Sequence, residues 1–130
     1  MGQVAPTDAA WAAGFFDGEG CTTGVNRPGG KIARVSIGQV DPRVLLKFQE
    51  IFKCGYVRGP YKRKKVKHSK HSPIYNYNIS CYQDIVFVLR CLWPYLSQVK
   101  KKQALKYVPA LRKKASYRNG IETHNNIMAI

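Results

Sequence analysis

Two carboxylates, Asp17 and Glu19, stand two residues apart where an alanine-rich stretch runs into Gly18 and Gly20. The stretch Ala9-Ala10-Trp11-Ala12-Ala13-Gly14-Phe15-Phe16 has high helix propensity, and Thr7 or Asp8 can cap its start. With Gly18 and Gly20 as its stop, both acids fall at the helix C-terminus, where the macrodipole is negative and a carboxylate is unfavourable. A divalent cation removes that penalty. The other reactive side chains give no complete set. His68 and His71 form H-x-x-H within a lysine-rich segment, and Cys81 and Cys91 are separated by nine residues. Neither supplies four zinc ligands, so zinc is not expected. No Ser/His/Asp grouping supports covalent catalysis. Without C-x-x-C pairs or a secretory signal, Cys21, Cys54, Cys81 and Cys91 read as reduced and mostly buried.

The chain surrounding these acids is strongly basic. Its 130 residues carry 22 Lys+Arg against 7 Asp+Glu, a net charge of +15, while 45% hydrophobic residues can build a core. Residues 1–50 are balanced, with five bases and five acids, whereas Lys53 to Arg118 hold seventeen bases and one acid, Asp84. Such a one-signed field favours a polyanion, most often a phosphate backbone. The longest apolar run, Ile85 to Leu96, contains Arg90 and falls short of the ~20 residues of a membrane span. Met1 to Pro6 lack a signal-peptide apolar region, and Pro6 breaks the myristoylation pattern. The expectation is an intracellular protein, in a chloroplast, a mitochondrion or a prokaryotic cytoplasm, and not a secreted one.

The elements that position the acids follow from pattern. Cys21 to Arg27 and Lys31 to Gln39 read as strands joined by the turn Pro28-Gly29-Gly30. Asp41 and Pro42 open a helix carrying Val44, Leu45, Phe48, Ile51 and Phe52 at helical spacing. A second hairpin runs from Gly55 to Arg63, through a basic tip with Lys64, Lys65, Lys67 and Lys70, to Ile74–Cys81. Two helices close the chain, Tyr82 to Leu92, broken at Pro94, and Val99 to Lys113, interrupted near Pro109. The expected fold is α+β: one four-stranded antiparallel sheet, helices on one face, and a polar, basic saddle on the other. One domain spans 1–114, and 115–130 form an extension or tail. The first helix is apolar all round, so a second copy of the chain is a natural cover for whatever its own sheet leaves bare. Small residues at i, i+4, Ala10/Gly14 and Ala9/Ala13, allow close backbone approach.

The segment Ala12-Ala13-Gly14-Phe15-Phe16-Asp17-Gly18-Glu19-Gly20 resembles the signature helix of the LAGLIDADG homing endonucleases. It keeps the inner glycine, the aspartate and the acid-glycine ending, with aromatics for the central aliphatics and Glu for the commoner last Asp. The resemblance covers roughly residues 8–114, and the motif occurs once. It implies an αββαββα fold and a homodimer whose motif helices pack together, with Ala10, Ala13, Gly14 and Asp17 at the interface. It further implies an intron-encoded, Mg2+-dependent enzyme that makes a double-strand cut at a long pseudo-palindromic DNA site.

The family's active centre transfers residue by residue. Glu19 is the implied Mg2+ ligand and the Gly18 carbonyl a second oxygen donor; Mn2+ or Ca2+ can substitute for binding. Asp17 is expected to cap the amides of a neighbouring helix, with an indirect metal role as the alternative. Alignment of Val35-Ser36-Ile37-Gly38-Gln39 gives Gln39 the water-organising position, or else that of a plain polar strand end. Arg43 and Lys100 fall on the basic members of the peripheral set, though either can simply bind phosphate, and Lys101 and Lys102 compete with Lys100. A ten-residue strand is about one duplex turn long, so ribbons can follow the major groove. Alternation assigns Thr23, Val25, Arg27, Arg34, Ser36, Arg58, Lys62, Asn76, Asn78 and Ser80 to the DNA-facing side. Arg suits guanine there, and Asn suits adenine. The alternatives are a maturase-like intron-RNA splicing cofactor, a cleavage-inactive DNA-binding regulator of the same fold, and a basic RNA-binding structural protein.

Overall fold

Proline at the first helical position fixes where the chain turns helical. The computed structural model describes residues 3–62 and 72–113, the Lys113 side chain apart. Lys64, Lys65, Lys67, Lys70, His68, His71 and the 115–130 extension lie outside the described residues. Helix α1, Pro6–Glu19, starts on Pro6 with Ala5 as a cap that offers no side-chain bond. Thr7 and Asp8 are therefore inside the first turn rather than at the cap, and Asp8 faces the favourable end of the dipole. The helix also continues through Gly18 and ends only at Gly20, whose φ of −98° and ψ of 169° are extended.

Strands β1, Gly20–Arg27, and β2, Gly30–Gln39, form the first hairpin. Asp41 accepts a hydrogen bond from the Arg43 amide at 2.9 Å and so caps α2, Pro42–Phe52, as its sequence predicts. Strands β3, Tyr56–Tyr61, and β4, Ile74–Ile79, are followed by α3, Tyr82–Leu92. Pro94 ends α3 in a single 3-10 turn, Trp93–Tyr95, and the last helical stretch divides at Pro109 into α4, Gln98–Tyr107, and α5, Ala110–Lys113.

The sheet is antiparallel in the order β1-β2-β4-β3, so the two hairpins join through their second strands. Alternation buries Ala33, Val35 and Ile37 of β2 and Tyr77 and Ile79 of β4 on one face. Against them pack Phe16 of α1, Leu45, Phe48 and Phe52 of α2, and Ile85, Val88, Leu89 and Leu92 of α3. Phe48 is central, with ring centroids 4.9 Å from Phe52 and 5.2 Å from Tyr77. The fold is thus α+β with its helices on one side of a four-stranded sheet. All four cysteines are free, but the expectation of burial needs correction: Cys21, Cys54 and Cys91 are only half-buried and Cys81 is exposed. Burial, with Asp84 adding to it, pushes the Cys54 thiol up to about 11, which keeps it protonated near neutral pH. Among the described residues no helix is long and apolar enough to cross a membrane.

Candidate metal centre and nucleic-acid interface

The two acids at the C-terminal end of α1 lead different lives. Asp17 accepts from the Ser97 amide at 3.1 Å and from the Ser97 hydroxyl at 2.9 Å. Ser97 is the N-cap of α4, so this carboxylate sits at the positive end of α4's dipole, which offsets its place at the negative end of its own helix. Asp17, expected where two copies meet, turns to α4 of its own chain. Asp17→Ala is expected to cost about 1–2 kcal/mol of stability, read as a lowered urea midpoint, because it removes the hydrogen bonds that tie Ser97, the N-cap of α4, to the end of α1.

Glu19 is exposed and makes no hydrogen bond or ion pair among the described residues. Its surroundings are open: a Cβ added at Gly18 meets nothing within 4 Å. Lys100 reaches the same end of α1, its Nζ donating to the Gly20 carbonyl oxygen. That contact answers the negative end of the helix dipole. It also separates the three consecutive lysines, which sequence leaves equivalent. Lys101 is 2% exposed, its ammonium buried near Trp93 and its pKa lowered by desolvation against an opposing pull from Asp17; Lys102 points to solvent.

Gly20 pairs with Ile37, so Gln39, the last residue of β2, ends at the same edge of the sheet as Glu19. Its alternation parity is that of Val35 and Ile37, so it leaves the sheet on the helix side and not among the outward residues. Arg43 follows at the start of α2, 86% exposed and bound through its guanidinium to both Asp41 oxygens. That pairing holds the Asp41 carboxyl down to about 2. Glu19, Gly18, Gln39 and Lys100 thus share one end of the sheet, and Arg43 stands beside them already engaged with Asp41. Of these, the free Glu19 carboxylate and the Gly18 carbonyl are the oxygen donors that fit a hard divalent cation, and the Lys100 and Arg43 cations are suited to phosphate rather than to metal.

The outward face is a set of cross-strand rows. Cys21, Ser36, Asn78 and Tyr56 stand level across all four strands, and Gly38, Asn76 and Arg58 form a second row. Thr23 pairs with Arg34, Val25 with Ile32, and Arg27 with Gly30, while Ser80 lies just past β4. Lys62 does not join them. A register shift between Arg58 and Tyr61 puts Tyr61 opposite Ile74, on the outward face, and leaves Lys62 beyond the strand with reversed parity. Simple alternation therefore misassigns Lys62 and misses Tyr61; it also overlooks Tyr56, Ile32 and Ile74, which the parity of Arg58, Arg34 and Asn76 could have found.

On α1, Ala9 and Ala13 are buried in the chain's own core, at 5% and 0% exposure, so Ala13 has no surface to offer a second copy. The sheet, α3 with the 3-10 turn after it, and α2 all pack on α1. Outward there remain Thr7, Ala10, Gly14 and Gly18, one stripe at i, i+3, i+4 spacing, all exposed. Trp11 and Phe15 border it, stacked at 5.5 Å, with the Lys47 Nζ 3.9 Å over the Trp11 ring.

Searched against family models and curated proteins, the chain matches none. Among solved structures it is similar to the homing endonuclease I-CvuI in complex with its target in the presence of Ca, at 24% identity over 94% of this chain and 76% of that one, with a TM-score of 0.61. A second I-CvuI complex, with uncleaved DNA in the presence of Mg, gives 25% identity over 93% and 75% with a TM-score of 0.58. The homing endonuclease I-TnaI matches at 22% identity over 99% and 89%, TM-score 0.58. The LAGLIDADG meganuclease I-AabMI bound to uncleaved DNA matches at 20% identity over 91% of this chain and 42% of that one, TM-score 0.56.

Proposed function

Because the chain has the fold of the LAGLIDADG homing endonucleases and opens on their signature helix, we propose that it is a homodimeric, site-specific DNA endonuclease. It makes a Mg2+-dependent double-strand cut at a long pseudo-palindromic target. The observation that carries this reading is Glu19: a solvent-facing carboxylate with no partner among the described residues, beside Lys100, at the edge of a sheet whose outward face bears Arg34, Arg58, Asn76 and Asn78. A regulatory or purely structural nucleic-acid binder gains nothing from an uncompensated negative charge at its polyanion surface.

Glu19 and the Gly18 carbonyl would hold Mg2+, which when bound would supply an activated water and neutralise phosphoryl charge. Gln39 orients water at the strand end. Lys100 brings positive charge to the phosphate from beside Gly20, and Arg43 does so from the start of α2 once its guanidinium is shared between Asp41 and DNA. The arginine, serine and asparagine rows read base edges in the major groove, and the remaining cations fix register on phosphates. Dimerisation is supported by the bare stripe of α1, which ends at Gly18: two copies meeting along it bring two Glu19 carboxylates together, a like-charge encounter that favours cation binding.

The test is incubation of the full chain with long mixed-sequence DNA in Mg2+ and in EDTA. Discrete double-strand products in Mg2+ and none in EDTA are expected. Binding without cuts in Mg2+ overturns the nuclease assignment in favour of a splicing cofactor or regulator of the same fold.

A further inference from the structure

The outward face of the sheet is not uniformly polar, and apart from Tyr56 its large apolar members stand as two cross-strand pairs. Val25 stands opposite Ile32 at the far end of the first hairpin, and Tyr61 stands opposite Ile74 near the Glu19 edge. Ile32 is 38% exposed and Tyr61 47%, while Val25 and Ile74 are half-buried beside them. At the second patch Gly38 leaves the room: a Cβ there would lie 2.9 Å from the Ile74 Cδ1, so the isoleucine tip lies across the glycine. Between the patches lie Thr23 with Arg34, and Cys21 with Ser36, Asn78 and Tyr56, whose ring is 5.2 Å from the Arg58 guanidinium.

Pairs of apolar side chains presented to water on a charged face stay costly until something apolar covers them. In the major groove the apolar feature on a base edge is the thymine 5-methyl group. Resting on the DNA-binding reading above, we propose that the two pairs, Val25–Ile32 and Tyr61–Ile74, determine specificity by enclosing thymine methyl groups at two places in each half-site. Their separation sets the spacing. Gln39 pairs with Tyr75, so Ile74 stands level with the residue after Gln39, eight positions along β2 from Ile32. At ~3.3 Å per residue the patches are offset by ~26 Å along the strand direction, the length of ~8 base pairs of duplex. The arginines and asparagines between them then read the intervening pairs.

The experiment selects bound sequences from a randomised duplex library with the full chain in Ca2+, then replaces each thymine of the enriched site by deoxyuridine, which removes only the methyl group. Two positions per half-site, ~8 base pairs apart, are expected to lose about fourfold in affinity each, the worth of one enclosed methyl. In Ile32→Ser the outer position, and in Tyr61→Ser the inner one, is expected to become indifferent to the exchange while the other remains sensitive. The substitution in DNA leaves the protein untouched, so a folding defect cannot imitate the first result. An enriched site with no sensitivity to the methyl, or a sensitivity that both variants retain, overturns this inference and leaves the DNA-binding reading intact. Failure to enrich any sequence overturns both.

Discussion

A Glu19→Gln chain is expected to bind its DNA as the parent does and to cut it about a thousandfold more slowly or worse. The substitution keeps size and hydrogen-bonding capacity while removing a negative charge that no ion pair or hydrogen bond among the described residues neutralises. Bound metal supplies several kcal/mol of transition-state charge stabilisation, and each ~1.4 kcal/mol is a factor of ten in rate. Binding holds because the phosphate field comes from bases elsewhere, and loss of a carboxylate beside DNA removes repulsion. Stability holds too, since Glu19 is exposed and it is Asp17, not Glu19, that binds Ser97 at the start of α4. Single-turnover cleavage under saturating protein, with affinity measured separately by fluorescence anisotropy, checks both halves. Unchanged cleavage by Glu19→Gln sinks the metal assignment, and loss of both binding and cleavage shows a fold defect instead.

How far this division of labour could be read from sequence depends on the range of the interaction involved. Periodicity and turn chemistry are local, so Asp41-Pro42 opening α2, the hairpin at Pro28-Gly29 and the split at Pro109 are legible without coordinates. The start of α1 is a local failure, because Pro6 pre-sets the helical φ one residue before Thr7 can act as a cap. Contacts across the chain are different. The family resemblance already gives Asp17 a helix to cap, but nothing local in Asp17-Gly18-Glu19 says which one; Ser97, 80 residues away, decides it, because α4 packs on β1 beside the end of α1. The same packing sorts Lys100, Lys101 and Lys102 into one that reaches Gly20, one buried near Trp93 and one in solvent. Alternation carried the outward face correctly through β1, β2 and β4, and failed where β3 shifts register, since a bulge leaves no periodic trace in six residues.

Gly14 offers the sharpest test of the dimer, because substitution there has opposite consequences for one chain and for two. A Cβ built on Gly14 meets nothing within 4 Å in its own protomer, and the residue is exposed in the middle of the Thr7–Ala10–Gly14–Gly18 stripe. Within a single chain, then, Gly14→Leu has room and replaces a poor helix former with a good one, worth about 0.8–1 kcal/mol in a helix interior. Between two chains it is destructive: helices that approach through small residues cannot close on a leucine, and each of the two symmetric copies brings one. The expected result is a chain that remains folded, with an undiminished far-UV spectrum, sediments as a monomer at concentrations where the parent is a dimer, and loses double-strand cleavage because one Glu19 no longer faces another across the target. Gly14→Ala, with a single methyl, is expected to fall between, weakening association while leaving measurable cutting. A Gly14→Leu chain that stays dimeric and active places the twofold contact somewhere other than α1. The glutamates then act apart, and the two strands of the target are cut by centres that share no cation.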